Sequence, residues 1–291
     1  MTQSALALVL LSALAHASWN LLLKRSRNQE VFVWGMLAAD SLLLLPLGAA
    51  LWWRNPIGGA GWWLVLATVV LHIFYFVLLG RGYARGDLSL VYPIARGMGP
   101  MLAPILAVAL LGETISPPAA AGIGLIVAGI FLISWWGRFR RLFRRPLALL
   151  RDPGVVYAVL TGLTIAAYAL VDKVGVSHVQ PLLYMYLLSL GCAAGLAPYV
   201  LAAHGRRAIW QELRPNLARV VLAGLLTFTA YGLVLTALSI SQVSYVAPAR
   251  EVGIVVGVLL GMLVLKEPFG AGRLLGSGLI VAGLALIALA P

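Results

Sequence analysis

Charge is scarce in this sequence, and acid most of all. Only 10% of its 291 residues are charged, and just 9 of these are Asp or Glu against 21 Lys and Arg. Ordinary soluble domains carry about 25% charged and about 45–50% apolar residues, whereas 62% of this chain is hydrophobic. A soluble fold of this length cannot hide so much apolar surface, so the composition points to an integral membrane protein. Cysteine is nearly absent. Cys192 stands alone in an apolar run, which excludes an intrachain disulfide and a thiolate metal site and suits a small buried core residue. The histidines (His16, His72, His178 and His204) are scattered and form no HExxH or other dense ligand cluster, so neither a metal nor another cofactor is expected. No GxxxxGK[ST] occurs, which leaves nucleotide hydrolysis without a site. The net charge of +12 does not imply nucleic acid, because the basic residues lie in short loops between apolar runs, where membrane topology accounts for them.

What the chain does have is long apolar runs. Ten can be marked, near 4–23, 31–53, 61–80, 88–111, 116–136, 154–172, 179–203, 217–238, 243–265 and 271–290. Each has about the 17–25 residues that a spanning helix needs. Backbone groups in hydrocarbon must be paired within the segment, so the spans are helices; the short alternating segments of an outer-membrane barrel are missing. The first run resembles a signal peptide, with its small-x-small ending. It lacks a basic n-region, and KRSR follows it instead, so it is read as span 1. Alternate loops, those between spans 1–2, 3–4, 5–6, 7–8 and 9–10, carry 17 of the 21 Lys and Arg, including Arg138 to Arg145. The positive-inside rule puts those loops in the cytoplasm of a bacterial-type inner membrane and both termini outside. Trp52, Trp53, Trp62 and Trp63 flank the outer 2–3 loop like an interfacial belt, as Trp135 and Trp136 do at the inner face.

The chain also repeats itself. GIGLIVAG (122–129) and GSGLIVAG (276–283) differ at one position. The same offset aligns PIARGMG with APAREVG, matching Arg96 to Arg250 and Gly99 to Gly253, and it matches Glu113 to Glu267. Near the start, WNLLLK (19–24) pairs with YALVDK (168–173). The organisation is therefore repeat 1 over 1–137, a basic cytoplasmic linker over 138–153, and repeat 2 over 154–291. Each repeat has five helices, an odd number, so the second enters the membrane upside down. Two inverted halves that can exchange shapes around a fixed site make a transporter design. Small residues four apart (Gly99, Ala103 and Ala107; Gly253, Gly257 and Gly261) give spans 4 and 9 equivalent close-packed faces.

These features resemble the drug/metabolite transporter superfamily, EamA-like branch. The residues that carry the resemblance are the prolines at the start of each fourth helix (Pro93, Pro248), the Gly112-Glu113 and Lys266-Glu267 turns, and the Gly-rich fifth helices. The resemblance implies an all-α integral membrane protein of ten transmembrane helices in two inverted repeats. It also implies a cavity between the halves lined by spans 1, 3, 4, 6, 8 and 9, with spans 5 and 10 peripheral.

Arg96 and Arg250 sit roughly 10–12 Å inside their spans at 1.5 Å per residue, a depth from which a guanidinium does not easily reach water. Each follows a proline that frees a carbonyl, a break tolerated where it lines a cavity. Both are expected to face the interior. In one reading they are structural, Arg250 pairing with Glu251 or another acid and Arg96 with Asp40. In the other they grip an anionic group of the solute through the bidentate guanidinium fork. Further candidates for contact with the solute are His16, Trp19 and Asn20 on span 1, His72 on span 3 and Tyr92 on span 4. Tyr168 on span 6, Tyr231 on span 8 and Tyr245 on span 9 complete the set, and Tyr75, Phe76, Asp172 and Phe228 belong to the same expected lining. Asp40 and Glu251, with His16 and His72, are candidates for proton coupling. Glu113 and Glu267 are read as caps at helix N-termini.

The expected function is secondary active transport of a small organic metabolite by alternating access, preferably an anion or zwitterion such as an amino acid or a phosphonate-like compound. An exporter of hydrophobic or cationic compounds would need an accessible acid within the membrane. An intramembrane enzyme acting on lipid would need convergent catalytic groups that the sequence does not offer. The partners expected are the solute and the bilayer, with no nucleic acid and no obligatory protein partner.

Overall fold

A computed structural model describes residues 1–86, 88–136, 152–266 and 270–290. The basic run Arg138 to Arg145 and the cap assigned to Glu267 lie outside the described residues. Among the described residues there is no strand. Twelve described helices follow one another: α1 (Gln3–Lys24), α2 (Gln29–Leu43), α3 (Leu45–Arg54), α4 (Gly59–Arg85), α5 (Leu88–Leu111), α6 (Pro117–Trp135), α7 (Pro153–Gly175), α8 (Pro181–Leu213), α9 (Leu217–Ile240), α10 (Val243–Ala249), α11 (Val252–Leu265) and α12 (Ala271–Leu289). Nine described stretches are long and apolar enough to cross a bilayer, and ten when the bent pair α2–α3 counts as one. Leu42, Leu110, Leu263 and Trp63 are among the large apolar side chains left exposed, as a lipid-facing surface requires.

Two spans are interrupted next to proline, and α8 is kinked at Gly205, where φ is 72°. The second bends by 58° between α2 and α3. Pro46 has no N–H for the Leu42 carbonyl and disfavours helical geometry in the residue before it. The ninth breaks between α10 and α11, where Pro248 cannot donate to Ser244. The backbone tightens there: Glu251 N–H bonds the Pro248 carbonyl at 3.0 Å and Gly253 N–H the Arg250 carbonyl at 3.0 Å, a 3₁₀ pattern inside a helical span. The fourth span, α5, contains Pro93, Pro100 and Pro104 yet stays one helix.

The packing obeys the repeat. α1 lies against α9 as α7 lies against α4; α1 lies against α10 and α11 as α7 lies against α5; α2 pairs with α8, α5 with α10 and α6 with α12. Each repeat thus sends its first helix into the other, and the central cluster of buried side chains draws on both. The repeated octapeptides meet each other. A Cβ on Gly122 would lie 2.5 Å from the Gly283 carbonyl oxygen, and one on Gly129 would lie 2.6 Å from that of Gly276. Only glycine lets the α6 and α12 backbones come this close, so the near-identical motifs form the two sides of one seam.

Candidate functional site

Between the halves lies a cavity of about 100 Å³. A water needs about 10–15 Å³ by this kind of measure, so the space holds several waters or a small solute. α1 contributes Ser12, His16 and Trp19; α4 contributes His72, Tyr75 and Phe76; α5 contributes Arg96, α7 Tyr168, α9 Tyr231, and the α10–α11 break Arg250. These are the helices that the resemblance implied. The structure adds α2, through Met36 and Leu37, and α8, through Met185, Ser189 and Cys192.

The two arginines take different partners. Arg96 Nη2 donates to Glu251 Oε2 at 2.9 Å, with the two side chains only 16% and 8% exposed. This corrects both pairings drawn from the sequence. Asp40 is completely buried, but it receives Ser189 Oγ–H at 3.1 Å and Ser41 Oγ–H at 3.3 Å. Its helix α2 packs on α8 and α9 rather than on α5. Glu251 turns away from its neighbour Arg250 because consecutive residues on a helical path do not face each other. Among the described residues Arg250 makes no ion pair or hydrogen bond through its side chain; its guanidinium carbon stands 5.0 Å above the centre of the Tyr231 ring. Glu251 lies behind both arginines, in a small void of about 10 Å³ shared with Gly99, Ile165 and Tyr168.

Behind the aromatic wall is a second polar centre. Asp172 is completely buried. Thr68 Oγ1–H donates to its Oδ1 at 2.5 Å and Tyr184 O–H donates to the same oxygen at 3.1 Å, while Tyr231 O–H donates to Oδ2. His72 stacks on Tyr168 with ring centres 4.1 Å apart and meets Tyr231 edge-on at 5.5 Å. The partner of His72 Nδ1 at 2.9 Å is the Thr68 carbonyl, an acceptor only, so this nitrogen carries a proton. His16 is the reverse case. Trp19 Nε1–H donates to its Nδ1 at 3.2 Å, which makes that nitrogen an acceptor.

Not every candidate reaches the cavity. Asn20 spends its amide on the His16 carbonyl one turn back, at 2.8 Å. Tyr92 lies on the exposed side of α5. Tyr245 is buried among α6 and α12, its hydroxyl 3.4 Å from Ser116 N and 3.5 Å from the Thr114 carbonyl. Phe228 packs in the central apolar cluster.

A model of the EamA-like transporter family matches residues 3–135 and 152–289. The chain belongs to the EamA-like transporter family. A further likeness is to "Multidrug transporter PA4990" of Pseudomonas aeruginosa (strain PAO1), 36% identical over 75 residues, which is 26% of this chain and 66% of that relative. The match therefore spans just under two thirds of the relative's length. One crystal structure overlays with a TM-score of 0.75, covering 100% of both chains at 15% identity; likeness at that identity concerns the fold alone.

This EamA-like transporter also carries polar ties at both ends of its helices. Glu113, in the turn after α5, accepts the N–H groups of Val243 and Ser244 at 2.9 Å each. It caps a helix as expected, but that helix is α10 across the seam and not α6 next in sequence. At the opposite end Glu212 accepts the N–H groups of Arg27 and Asn28 at 3.3 and 3.2 Å, and Glu30 meets His204 Nε2 at 2.7 Å. Sequence reasoning missed Glu30 and Glu212 as ties, since each acts on a residue more than 170 positions away. It also gave Asp172 no role beyond lining, because Asp172 stands beside Lys173 at the edge of an apolar run and reads as a solvated pair. In the structure Lys173 instead donates to the Leu238 and Ser241 carbonyls at 2.7 and 2.8 Å.

Proposed function

We propose that this transporter carries a small organic anion or zwitterion bearing an aromatic or apolar group, and that Arg250 grips the anionic end. The observation that supports the reading most is the unequal use of two matched arginines. Among the described residues Glu251 bonds Arg96 and not Arg250, which leaves Arg250 at the cavity wall over the face of Tyr231. An incoming carboxylate, sulfonate or phosphonate completes its coordination through the guanidinium fork. Trp19, Tyr75, Phe76 and Tyr168 offer flat apolar surface to the rest of the solute. The two inverted halves rock about this point so that it opens to each side in turn. The distribution of loop charges supports an inner membrane of a bacterial-type cell with both termini outside. Binding and transport, rather than catalysis, are the activity.

The experiment is uptake into proteoliposomes of labelled benzenesulfonate, 2-aminoethylphosphonate, phenylalanine and ethidium, for the wild type and Arg250→Ala. Saturable uptake of at least one of the first three, lost in the variant, is the expected result. Movement of ethidium alone would replace this reading with the second one, export of hydrophobic or cationic compounds. The multidrug relative and the aromatic lining favour that alternative. The accessible acid that it needs is harder to supply, because serines enclose Asp40 and Tyr231 covers Asp172.

A further inference from the structure

We propose that Asp172 is the proton-binding site of this carrier, and that an anion on Arg250 and a proton on Asp172 cross the membrane together. The inference rests on the anion reading above and adds the coupling ion to it. It begins from an unmatched charge. Asp172 has no exposed surface and meets three hydroxyl groups, from Thr68, Tyr184 and Tyr231, and among the described residues no Lys or Arg pairs with it. Its sequence neighbour Lys173 is turned to backbone carbonyls. An acid inside a membrane span without a cation is costly, and such a residue marks a functional site by default.

Tyr231 joins that acid to the cavity. Its hydroxyl holds Asp172, and its ring lies 5.0 Å beneath the Arg250 guanidinium. The unpaired cation and the unpaired carboxylate therefore flank one side chain. Glu251 pairs with Arg96 and also lies near Arg250, and Asp172, on the far side of the Tyr231 ring, is the second acid that balances Arg250 in the empty carrier. When a monoanion seats on Arg250 it takes over that balance, and the carboxylate is left as an uncompensated buried charge. One proton on Asp172 restores neutrality. The proton comes from the water on the side where the anion loads and returns to the water on the other side. Because linkage is reciprocal, a protonated Asp172 favours anion binding by the same factor.

The titratable and charged groups around Asp172 are few. α4 presents His72, next to Thr68; α8 presents Tyr184 and Cys192; α9 presents Tyr231, with Arg250 beyond it; α7 itself presents Tyr168. His72 gives its Nδ1 proton to the Thr68 carbonyl, and the tyrosines and the cysteine are neutral near pH 7. His72 Nε2 can also accept a proton, but Asp172 is the acceptor that bonds Tyr231, the side chain under Arg250, and proton uptake that survives in Asp172→Asn would assign it to His72 instead.

The test uses the purified full chain in detergent, weakly buffered, with a pH-indicating dye. Benzenesulfonate is the probe, because it has no neutral form near pH 7 and brings no proton of its own. Binding is followed in parallel by isothermal titration. Over the pH range in which the proton is linked, the wild type is expected to take up close to one proton per anion bound and its Kd to rise toward about 10-fold per pH unit, as one linked proton requires. Asp172→Asn, permanently neutral, is expected to bind with no proton uptake and no pH dependence. Tyr231→Phe keeps the ring under Arg250 but removes a donor to the carboxylate, so its proton uptake is expected to follow a pH profile different from that of the wild type. This second variant decides the matter if Asp172→Asn does not fold. Binding without proton uptake in the wild type, uptake that persists in Asp172→Asn, or a Tyr231→Phe profile that overlays the wild type would each overturn the assignment and leave the anion reading standing. Failure of benzenesulfonate to bind would remove the anion reading, and this inference with it.

Discussion

The fourth and ninth spans descend from one sequence pattern and have become different machine parts. In α5, three prolines leave a continuous helix whose small residues are tightly seated. Ala103 and Ala107 are buried, and a Cβ on Gly99 would lie 2.5 Å from the Ile165 side chain. In the ninth span one proline accompanies a break, and the matching glycines are less crowded: a Cβ on Gly253 would only touch His16 and Ala13 at 3.8 Å or more, and nothing stands within 4 Å of one on Gly257. The arginines diverge in the same way. Position 251 carries Glu where the first repeat has Gly97, so two cations share one acid. The acid bonds across the seam to the cation of the continuous helix, and the cation of the broken helix is left for the cavity. A carrier needs one wall that stays and one that moves; the packed span suits the first role and the loose span the second.

The largest effects should separate the two arginines. Arg96→Ala strands Glu251 as a buried, unpaired charge, and breaking such a pair costs about 3–5 kcal/mol. A large drop in the thermal unfolding midpoint is expected, part of which the double variant Arg96→Ala/Glu251→Ala recovers. Arg250→Ala breaks no direct ion pair and should lower the midpoint less than Arg96→Ala does, while lowering anion uptake by about 100-fold, the range for losing a desolvated charge-assisted contact. If the two variants lose stability equally, the division into a structural and a functional arginine fails.

Next in size is the α6–α12 seam, a test of the symmetry itself. Gly129→Leu and Gly276→Leu each drive a side chain into the opposite backbone. Overpacking of this kind costs typically about 1–3 kcal/mol, and the two substitutions should cost similar amounts because they address the same seam from its two sides. A Cβ added at Gly124 or Gly278 would meet nothing within 4 Å, and the same substitution there should be tolerated. Unfolding midpoints of the four variants in one detergent check this.

How far these differences could be read beforehand depends on the range of the interaction. Spans, repeat and family were legible because apolar run length and an eight-residue match are local facts. Burial of Arg96 and Arg250 was legible for the same reason. Their partners were not. Asp40 was the obvious acid for Arg96 by depth, but depth says nothing about which helices touch, and α2 packs on α8 and α9. Glu113 was recognised as a cap, yet its helix starts 130 residues later. The hydroxyl cradle of Asp172 comes from three other spans. Nothing in a pattern of single residues announces that Thr68, Tyr184 and Tyr231 will converge.

A smaller effect concerns the tie that anchors the broken span to the continuous one. Glu113 holds the first two N–H groups of α10 from the turn that ends α5, satisfying donors that a helix start otherwise leaves open. Glu113→Ala should cost about 0.5–2 kcal/mol, the usual range for a lost cap, and should speed hydrogen exchange at Val243 and Ser244 more than at the start of α11.

The smallest predicted effect has the opposite sign and bears most directly on the comparison. Glycine within a helix is less favourable than alanine by roughly 0.5–1 kcal/mol. At Gly257 the added methyl meets no atom within 4 Å, whereas at Gly99 it would press on Ile165. Gly257→Ala should therefore raise the unfolding midpoint slightly, and Gly99→Ala should lower it. If the open space beside Gly257 is room that α11 uses when the carrier changes its opening, the stabilised Gly257→Ala protein should also transport more slowly than the wild type, with solute affinity at equilibrium unchanged. Equal rates in the two proteins would show that this space is only loose packing, and would leave the break at Arg250 as the sole mechanical difference between the two spans.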